Sequence, residues 1–500
     1  MSVKSVGEAF KLNLQSAPSR PFLHGPTGES WTRQEFHALA DNIAKMLWSQ
    51  GARQGERVTA VVEKTPQAFA VYLACQYVGY VYHPANIGYT DAELSFLIGD
   101  AKPKVVICDP SRKEGFAKFC DATLLTLDAK GEGSLLAFEQ NAEPYDDYQA
   151  NADDWAALLY TSGTTGKPKG AMLSQNNLLS NALTLLDAWK ISDQDRLLHI
   201  LPIFHTHGLF VAGNTSLCSG CEILWENQFN LDRVFERLTN ATTFMAVPTH
   251  YGRMLADERL NKNATQNMRL FISGSAPLDA VSSDLFFEKT GLRVLERYGM
   301  TETNMLVSNP YDGDRIAGSV GVPLPGIALR IRKHDGELAE TGEVGIVEVQ
   351  GPNVCKGYLG LEQKTKEAFT DDNYFITGDL GRLNDEGYLT LQGRESDMII
   401  SGGFNVYPRE VENALLDQDG IKEAAVFGLP HPDFGEGVTA AVVLEGTSIE
   451  ADSIIQQAKA LLAAYKVPKK VIFMDELPKN AMGKVDRKGM KAEHAGMYKA

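Results

Sequence analysis

Residues 160–170 combine residue types that bind phosphate groups. The segment holds four Ser or Thr residues, three glycines and two lysines between two apolar runs. Glycines let the backbone approach a ligand closely, and hydroxyls and free N–H groups bind phosphate oxygens. Only two residues separate Gly163 from Gly166, and Pro168 follows Lys167, so the segment is not a Walker A loop. It predicts a phosphate-binding loop of another kind, and a solvated Gly/Thr hairpin is the alternative.

Two later segments place polar groups after a predicted strand or after a glycine turn. Residues 273–277 end a strand and open a helix around Ser275, a geometry suited to holding a ligand at the carboxyl edge of a sheet. Residues 296–303 place Thr301 and Glu302 after a turn at Gly299. A hydroxyl and a carboxylate there can bind a phosphate and Mg²⁺ respectively, although a turn with a capping threonine has the same pattern.

The C-terminal part of the chain carries further candidates. Asp379 can accept both hydrogen bonds of a ribose diol, and Arg394 supplies a guanidinium. Gly402 and Gly403 form a glycine pair at the end of a predicted strand, where a ligand can approach the backbone closely. Lys484 follows a glycine-containing loop in a basic stretch, which suits either an anionic ligand or a solvated face.

Alternating helix and strand patterns predict the elements that position these groups. Thr32 and Glu35 have the spacing of a capping box at the start of a helix over residues 31–50. Predicted strands and helices then alternate, which is typical of layered parallel sheets. The strands are predicted at 57–63, 103–108, 155–159, 197–201, 243–247 and 268–273, and the helices at 66–79 and 278–290.

The pattern changes in the last third of the chain. Residues 315–393 contain short β-like runs between turn residues and predict a small β-rich subdomain. The order strand, helix, strand, strand, helix, strand follows, which predicts a small α+β domain. We therefore expect an α/β protein with a large N-terminal domain of layered βα subdomains (1–395) and a small C-terminal domain (396–500).

Composition excludes several classes of function. The chain has 500 residues, which is more than one core can accommodate, and its formal net charge of −16 argues against binding nucleic acid or anionic membranes. The apolar runs are too short to span a bilayer, and the N-terminus lacks a signal-peptide pattern, so we expect a cytoplasmic protein. The six scattered cysteines predict reduced thiols and no zinc site.

Taken together and in this order, the segments resemble the acyl-adenylate-forming superfamily, which includes acyl-CoA synthetases, adenylation domains of peptide synthetases and beetle luciferases. The resemblance rests on residues 160–170, 298–303 and 377–381, on Arg394, and on Gly483 with Lys484. It covers nearly the whole chain. It implies an enzyme that uses ATP, Mg²⁺ and CoA, with a small C-terminal domain that rotates between two half-reactions.

The resemblance also implies roles for individual residues. Lys484 bridges the carboxylate and the α-phosphate, Thr301 contacts the α-phosphate, and Glu302 coordinates Mg²⁺ with Thr161. Asp379 and Arg394 hold the ribose. The thiol tunnel is expected at Ser401, Gly402 and Gly403, and the hinge at Ser396 and Asp397, where relatives usually have Asp or Lys at the position of Ser396. Further ATP contacts are expected from Ser162, Gly163, Thr164, Thr165, Gly166, Lys169, Ser275, Glu296, Tyr298 and Gly299.

Four residues are candidates for the acid-binding pocket. His207 stands where the family commonly has an aromatic or His gate beside the acyl group, and Ser275 is implied nearby. Arg297 replaces the small residue that many relatives have, and Arg253 begins a helix that lines this pocket in relatives. A second carboxylate on the substrate would pair with a buried guanidinium. The alternative is that either arginine pairs with a protein carboxylate such as Glu296.

At this level the sequence resembles malonyl-CoA synthetases. The resemblance lies in residues 204–209, 271–278, 296–304, 308–315 and 402–408, and Lys167-Pro168 departs from the Arg-Ser that some of those enzymes have. It implies that malonate, and secondarily methylmalonate, is the substrate. A synthetase for a short or medium monocarboxylate and a non-catalytic nucleotide-binding homologue are the alternatives. The oligomeric state is not determined by the sequence.

Overall fold

The computed structural model describes residues 3–138, 144–162, 168–446, 449–479 and 484–498, without the side chain of Ser162. The chain forms two compact units. The first comprises Met1–Ala328 with Gln350–Phe375, and the second comprises Leu329–Val349 with Ile376–Ala500. This division falls at other positions than the predicted boundary between residues 395 and 396, which stays a prediction.

The strands of the described residues have short, well-defined bounds. They are β1 (Pro21–His24), β2 (Ser30–Thr32), β3 (Arg57–Val61), β4 (Val81–Pro84), β5 (Val105–Cys108), β6 (Thr123–Thr126), β7 (Trp155–Ser162), β8 (Pro168–Ser174), β9 (Arg196–His199), β10 (Glu222–Trp225), β11 (Thr243–Ala246), β12 (Leu270–Ser273), β13 (Leu295–Met300), β14 (Asn304–Ser308), β15 (Val322–Pro323), β16 (Ala328–Arg332), β17 (Gly345–Gln350), β18 (Phe375–Leu383), β19 (Leu389–Arg394), β20 (Ile399–Ser401), β21 (Phe404–Val406), β22 (Ile421–His431), β23 (Gly435–Leu444) and β24 (Lys470–Phe473).

The helices connect these strands. They are α1 (Val6–Ser16), α2 (Arg33–Ser49), α3 (Pro66–Val78), α4 (Asp91–Ala101), α5 (Lys113–Phe116), α6 (Gln175–Ala188), α7 (Asn214–Ser219), α8 (Leu231–Leu238), α9 (Pro248–Leu255), α10 (Ala280–Thr290), α11 (Glu362–Glu367), α12 (Pro408–Leu416), α13 (Ala451–Leu461) and α14 (Arg487–Glu493). A π-helix, His207–Gly213, precedes α7, and a 3₁₀ turn, Glu395–Asp397, follows β19. None of the helices in the described residues is long and apolar enough to cross a membrane.

The first unit is built on two largely parallel sheets. A nine-stranded sheet has the order β15-β14-β13-β12-β11-β9-β10-β1-β2, and a six-stranded sheet has the order β6-β5-β3-β4-β7-β8. The strands from β13 to β1 run parallel in the first sheet, and those from β6 to β7 in the second. This βα layering confirms the predicted α/β class and brings the ends of successive parallel strands to common edges.

The core of the first unit fixes where those edges lie. Nearly every residue of α3 is buried, because the helix is apolar on all sides, and Thr65 caps its N-terminus by accepting from the Ala68 N–H. Phe69 of α3 stacks on Trp225 at the end of β10, with ring centroids 5.5 Å apart. The predicted capping box of α2 is also present, with Thr32 and Glu35 bonding reciprocally.

The second unit holds a four-stranded sheet, β16-β17-β18-β19, and a further sheet in which β21-β20-β23-β22 follow one another and β24 pairs with β23. Its second sheet has the predicted order of two helices between strands. The strand β21 was not expected, and α13 ends at Leu461 instead of continuing to residue 465 as predicted. Buried apolar residues of β22 and β23 pack against α12 and α13, which gives this unit its own core.

Candidate active site

Three candidate side chains, together with His250, converge on one edge of the nine-stranded sheet. Three neighbouring strands of this sheet, β9, β11 and β12, run parallel. His207 follows β9 in the chain, His250 follows β11, and Ser275 follows β12. Ser273, the last residue of β12, pairs with the residue preceding Arg297 in β13. Ligands of open α/β sheets bind at the carboxyl ends of parallel strands, so this edge is the place for a substrate pocket.

Arg297 is the most unusual group at this edge. It is buried, with 5% of its surface exposed, and its Nε and Nη2 have no hydrogen-bond partner among the described residues. A Cβ on Gly274 would lie only 2.2 Å from the guanidinium carbon, so glycine at that position makes room for the charged group. Burial lowers the pKa of Arg297 to about 9, which still leaves it positively charged at neutral pH.

The alternative partner for Arg297, Glu296, has a different role. Its Oε1 accepts a hydrogen bond from the Gly318 N–H at 3.1 Å, and its carbonyl oxygen accepts from the Asn309 N–H at 3.0 Å. Successive residues of a strand face opposite sides of the sheet, which separates Glu296 from Arg297. Within the part of the chain that the structure describes, no acidic side chain forms an ion pair with Arg297.

His207 lies beside this arginine. It is buried, and its Nδ1 is 3.3 Å from the hydroxyl oxygen of Ser275, while its Nε2 has no partner among the described residues. Burial, and secondarily the positive charge of Arg297, lowers the pKa of His207 well below its ordinary value. The imidazole is therefore neutral at pH 7. Ser275 has a φ of +70°, an uncommon backbone conformation for a non-glycine residue.

Arg253 is placed differently from Arg297. It lies in the last turn of α9, which begins at Pro248, so the prediction that Arg253 begins a helix is wrong. Its side chain is exposed, and its guanidinium carbon lies 5.8 Å from the centroid of the Phe229 ring. The other aromatic contact of Phe229 is with His250, whose ring stacks parallel to it at 4.2 Å. Solvent screens an exposed guanidinium, so Arg253 offers a substrate a weaker interaction than Arg297 does.

Glu302 forms the centre of a second cluster in the first unit. It is buried in the turn between β13 and β14, where its Oε1 accepts hydrogen bonds from Thr161 Oγ1 at 3.3 Å and from Tyr358 OH at 3.1 Å. Lys169 Nζ lies 4.4 Å from the centroid of the Tyr358 ring. The structure thus brings together Thr161, Lys169 and Glu302, three residues that the sequence placed around the phosphates.

The donor set around Glu302 fits Mg²⁺. A carboxylate and a threonine hydroxyl are hard oxygen ligands, which this ion prefers. The described residues contain no group of three or more His, Cys, Asp or Glu side chains able to hold a metal ion. Mg²⁺ is commonly held by one or two carboxylates together with substrate phosphates, so the single carboxylate of Glu302 suits a metal that arrives with a nucleotide.

The turn that carries Glu302 depends on glycine. A Cβ on Gly299 would lie 1.9 Å from the carbonyl oxygen of Asn304, so the close approach of β13 and β14 requires glycine there. Thr301 is half-buried in this turn, and Tyr298 is buried in β13. Gly163, Thr164, Thr165 and Gly166 of the predicted phosphate loop lie outside the described residues, as does the side chain of Ser162.

The second unit contains its own pair of predicted groups. Asp379 of β18 lies opposite Arg394 of β19 in antiparallel register. Arg394 donates from Nε to Asp379 Oδ1 at 2.8 Å and from Nη1 to the Thr377 carbonyl at 3.0 Å. The side chain of Asp379 is 10% exposed, and that of Arg394 is 41% exposed. The arginine therefore orients the carboxylate and leaves one edge of the pair open to solvent.

The remaining predicted residues also lie in the second unit. Gly402 and Gly403, with φ of +60° and +83°, form the turn between β20 and β21, a conformation that favours glycine. Ser401 is buried at the end of β20, and Lys484 is exposed. Ser396 and Asp397 belong to the 3₁₀ turn after β19. Their roles in CoA binding, catalysis and domain rotation stay predictions.

Two contacts at the site were missed by the sequence analysis. Tyr358 bonds to Glu302 from 56 residues away, and no local motif marks it. Gly274 lies within the segment 273–277 described above, but its contact with Arg297 depends on the pairing of β12 with β13. Both contacts arise from tertiary structure, and a bare sequence pattern carries no signal for them.

Comparison with known proteins identifies the class. A model described as AMP-binding enzyme matches residues 10–359, and one described as AMP-binding enzyme C-terminal domain matches residues 410–484. The chain belongs to the AMP-binding enzyme family. It is an AMP-forming acyl-CoA ligase, which confirms the predicted superfamily and its use of ATP.

Proteins similar to this chain are described as ligases for different acids. The chain is 35% identical to the indoleacetate–CoA ligase of Aromatoleum aromaticum, over 90% of this chain and 91% of that protein. It is 32% identical to the malonate–CoA ligase of Arabidopsis thaliana, over 88% of this chain and 78% of that protein. The crystal structure of ATP-bound MatB from Rhodopseudomonas palustris matches with a TM-score of 0.96 and 45% identity, covering 100% of both chains.

Proposed function

We propose that the protein is a malonate–CoA ligase. A carboxylate oxygen of malonate attacks the α-phosphorus of ATP, and the bond to the bridging oxygen breaks, so that pyrophosphate leaves and malonyl-AMP forms. The sulfur of CoA, after losing its proton, attacks the carbonyl carbon, and AMP leaves as malonyl-CoA forms. Methylmalonate is a second candidate substrate, because an added methyl changes binding in an apolar pocket by only about 1–3 kcal/mol.

The unpartnered guanidinium of Arg297 is the observation that carries this proposal. A buried charge without a partner is costly, and removing one partner of a buried ion pair typically costs about 3–5 kcal/mol. Arg297 lies in β13 at the pocket edge, beside His207 and the glycine that makes room for it. A substrate with a second carboxylate supplies the missing partner and can accept two parallel N–H bonds from the guanidinium. A monocarboxylate would leave the charge unpaired.

His207 and Ser275 hold the other end of the acid in this proposal. If the Ser275 hydroxyl donates to His207 Nδ1, the proton of the neutral imidazole sits on Nε2, the atom without a partner in the described residues. That N–H can donate to an oxygen of the reacting carboxylate. The acid is then held between a neutral donor and a cation, with its reactive oxygen directed away from Arg297.

The nucleotide is proposed to bind through the residues that the family resemblance implies. Thr161 and Lys169 hold the β- and γ-phosphates with residues 162–166, Thr301 contacts the α-phosphate, and Glu302 holds Mg²⁺. When bound there, the ion offsets the negative charge that collects as two anions approach each other. Asp379 accepts from the ribose hydroxyls while Arg394 orients it, as the 2.8 Å bond between them supports.

Lys484 is proposed as the residue that acts on the reacting groups themselves. Its ammonium lies between the carboxylate and the α-phosphate during adenylation and stabilises the charge of the transition state. Ser401, Gly402 and Gly403 are proposed to line the approach of the CoA thiol. Ser396 and Asp397 are proposed as the hinge about which the C-terminal domain rotates between adenylation and thioester formation.

Exchange of pyrophosphate into ATP in the presence of different acids tests the proposal. Malonate should support rapid exchange, methylmalonate slower exchange, and octanoate none above background, because its apolar chain would meet the unpaired Arg297. Formation of the corresponding CoA thioester should follow the same order. Exchange with octanoate but not with malonate would contradict the proposal and favour a ligase for monocarboxylates.

A further inference from the structure

A buried lysine, Lys64, bonds to the backbone at the end of β9, the strand that precedes His207 in the chain. Lys64 donates from Nζ to the carbonyl oxygens of His199, at 2.8 Å, and of Glu226. The same ammonium lies 4.3 Å from the centroid of the Trp225 ring. It forms no ion pair with a carboxylate of the described residues. Burial lowers its pKa well below the ordinary value, and the charge of Glu226 opposes this shift only in part. A methionine would fill this space without the cost of desolvating a charge, so packing alone does not account for a lysine at position 64.

His199, at the end of β9, is the residue that this lysine holds. Its ring stacks on Trp225 with centroids 4.8 Å apart and an angle of 24°. Its Nε2 lies 2.8 Å from the carbonyl oxygen of Gly208, and its Nδ1 has no partner among the described residues. Burial, and then the charge of Lys64, lowers the pKa of His199 well below its ordinary value. The ring is therefore neutral and carries its proton on Nε2, which donates to Gly208.

Gly208 connects this arrangement to the acid pocket. It is the second residue of the π-helix that begins at His207, and such turns occur mostly in short pieces at functional sites. A Cβ on Gly208 would lie 2.1 Å from the carbonyl oxygen of Pro202, so the backbone passes close against that peptide. The Gly208 peptide is thus fixed on one side by Pro202 and on the other by the His199 side chain.

We propose that Lys64, Trp225 and His199 form a support, called here the His199 support, that holds His207 in its acid-binding orientation. Lys64 fixes the backbone at His199 and the face of Trp225. Trp225 fixes the plane of the His199 ring, and the ring fixes the Gly208 carbonyl next to His207. The three are positioning residues that act through His207. This inference rests on the proposed place of His207 in the acid site.

Two substitutions of His199, by glutamine and by asparagine, test the His199 support because their side-chain amides extend to different distances from the backbone. The amide nitrogen of glutamine reaches approximately the position of Nε2, whereas that of asparagine reaches only the position of Nδ1. His199→Asn should raise KM for malonate about tenfold or more, since a misplacement of about 1 Å can cost up to about a hundredfold, and His199→Gln should stay within about threefold of the wild type. KM for ATP should change by less than about twofold in both, because the nucleotide groups do not depend on Gly208.

Two further variants extend the test. His199→Phe keeps an aromatic ring for Trp225 but has no donor for Gly208, so it should resemble His199→Asn. Lys64→Met removes the ammonium and should raise KM for malonate in the same direction by about threefold to fivefold, since one or two net hydrogen bonds are lost. A purely structural role predicts a different pattern, in which KM for malonate, KM for ATP and the thermal midpoint change together and glutamine brings no rescue.

A matched control is available on α2. His37 is also partly buried and bonds through Nδ1 to the Tyr77 hydroxyl at 2.9 Å, away from the pocket edge. His37→Phe should lower the thermal midpoint and leave both KM values within about twofold, as expected for a lost hydrogen bond outside the site. Equal KM for malonate in His199→Gln and His199→Asn, or the same acid-specific increase in the control, would overturn the support.

His207→Ala separates failure of the support from failure of the proposed function. If this variant keeps the KM for malonate of the wild type, His207 is not in the acid site and the proposed function of this residue is wrong. If it raises KM while the His199 variants do not, the acid site stands and only the support is wrong. Should malonate fail to support exchange, the acid that does support it serves as the probe in every arm.

Discussion

Arg297 in the first unit and Arg394 in the second occupy opposite electrostatic situations. Arg297 is buried, and two of its nitrogens have no partner among the described residues. Arg394 is 41% exposed and bonds to Asp379 and to the Thr377 carbonyl. A guanidinium already paired with a carboxylate orients that carboxylate, whereas an unpaired one is available to a ligand. The comparison supports the proposal that the first unit recognises the acid and that Asp379 and Arg394 of the second unit have an acid-independent role.

Lys484→Ala provides the largest expected effect and tests the second half of this comparison. Lys484 is proposed to offset the charge of the two reacting anions, so its loss should reduce adenylation at least about a thousandfold, equally for malonate and methylmalonate. Thioester formation from supplied malonyl-AMP should largely remain. The measurement is single-turnover kinetics of each half-reaction, and equal loss of both would contradict the role assigned to Lys484.

Arg297→Ala tests the proposed recognition of the acid by the first unit. It should lower kcat/KM for malonate about a hundredfold or more, because the distal carboxylate is left buried without a partner at a cost of about 3 kcal/mol. KM for ATP should stay within about twofold. Arg297→Lys serves as the control, since it keeps the charge without the planar fork and should recover part of the loss. Malonate kinetics within about twofold of the wild type would show that another cation holds the acid.

A buried histidine, His83, shows how burial of a titratable group affects the stability of the fold. Burial lowers the pKa of His83 to about 3 from 6.5, so this ring is neutral in the folded protein and takes up a proton on unfolding below pH 6.5. Its contribution to stability is complete above pH 6.5 and is lost as the pH falls toward 3. At pH 5 the loss is about 2 kcal/mol.

The matching measurement is denaturant unfolding between pH 7 and 5. The wild type should lose stability over this range, and His83→Asn should lose about 2 kcal/mol less of it, since an amide does not titrate. The substitution has its own cost at pH 7, because His83 Nδ1 bonds to Thr59 Oγ1 at 2.9 Å, so only the change with pH is compared. An unchanged slope would show that His83 does not titrate on unfolding in this range.

Asp379→Ala should have an effect that is smaller and independent of the acid. Asp379 is proposed to receive the ribose hydroxyls, so loss of its carboxylate should raise KM for ATP about tenfold or more, since hydrogen bonds to charged groups contribute about 1.5–3 kcal/mol. The ratio of kcat/KM values for malonate and methylmalonate should not change. A change in that ratio would place Asp379 in acid recognition and break the division between the two units.

Arg253→Ala should have the smallest effect. The side chain is exposed over Phe229, and exposed charges contribute about 0.2–1 kcal/mol, which corresponds to at most about a fivefold increase in KM for malonate. The same steady-state assay as for Arg297→Ala measures it. A loss equal to that of Arg297→Ala would mean that both arginines hold the distal carboxylate and that exposure is a poor guide here.

Local sequence patterns were sufficient for part of the fold. Pro66 and the preceding Thr65 mark the start of α3, and the helix ends at the glycine after Val78, as helix-capping rules predict. The strand before Ser275 was also predicted from its apolar run, whereas β13, which contains Arg297, was not predicted. The short strand β21 and the π-helix at His207 were missed, because neither has a periodic pattern long enough to be recognised.

The site could be predicted only in part, and the reason is physical. Residue types at quoted motifs indicated Glu302, Asp379 and Arg297 as candidates. The sequence could not show that Arg394 is paired while Arg297 is not, because pairing depends on which strands become neighbours. Nor could it show that Tyr358 contacts Glu302 or that His199 contacts Gly208, since these bonds are made by tertiary packing.

The most direct test of the central claim removes the guanidinium of Arg297, the distal carboxylate of the substrate, or both. The measurement is kcat/KM in pyrophosphate exchange for wild type and Arg297→Met, each with malonate and with its monomethyl ester. The wild type should prefer malonate about a hundredfold, and the variant should show little preference, which is a coupling of about 3 kcal/mol between Arg297 and the distal carboxylate. The same preference for malonate in both enzymes would contradict the claim that Arg297 recognises the second carboxylate.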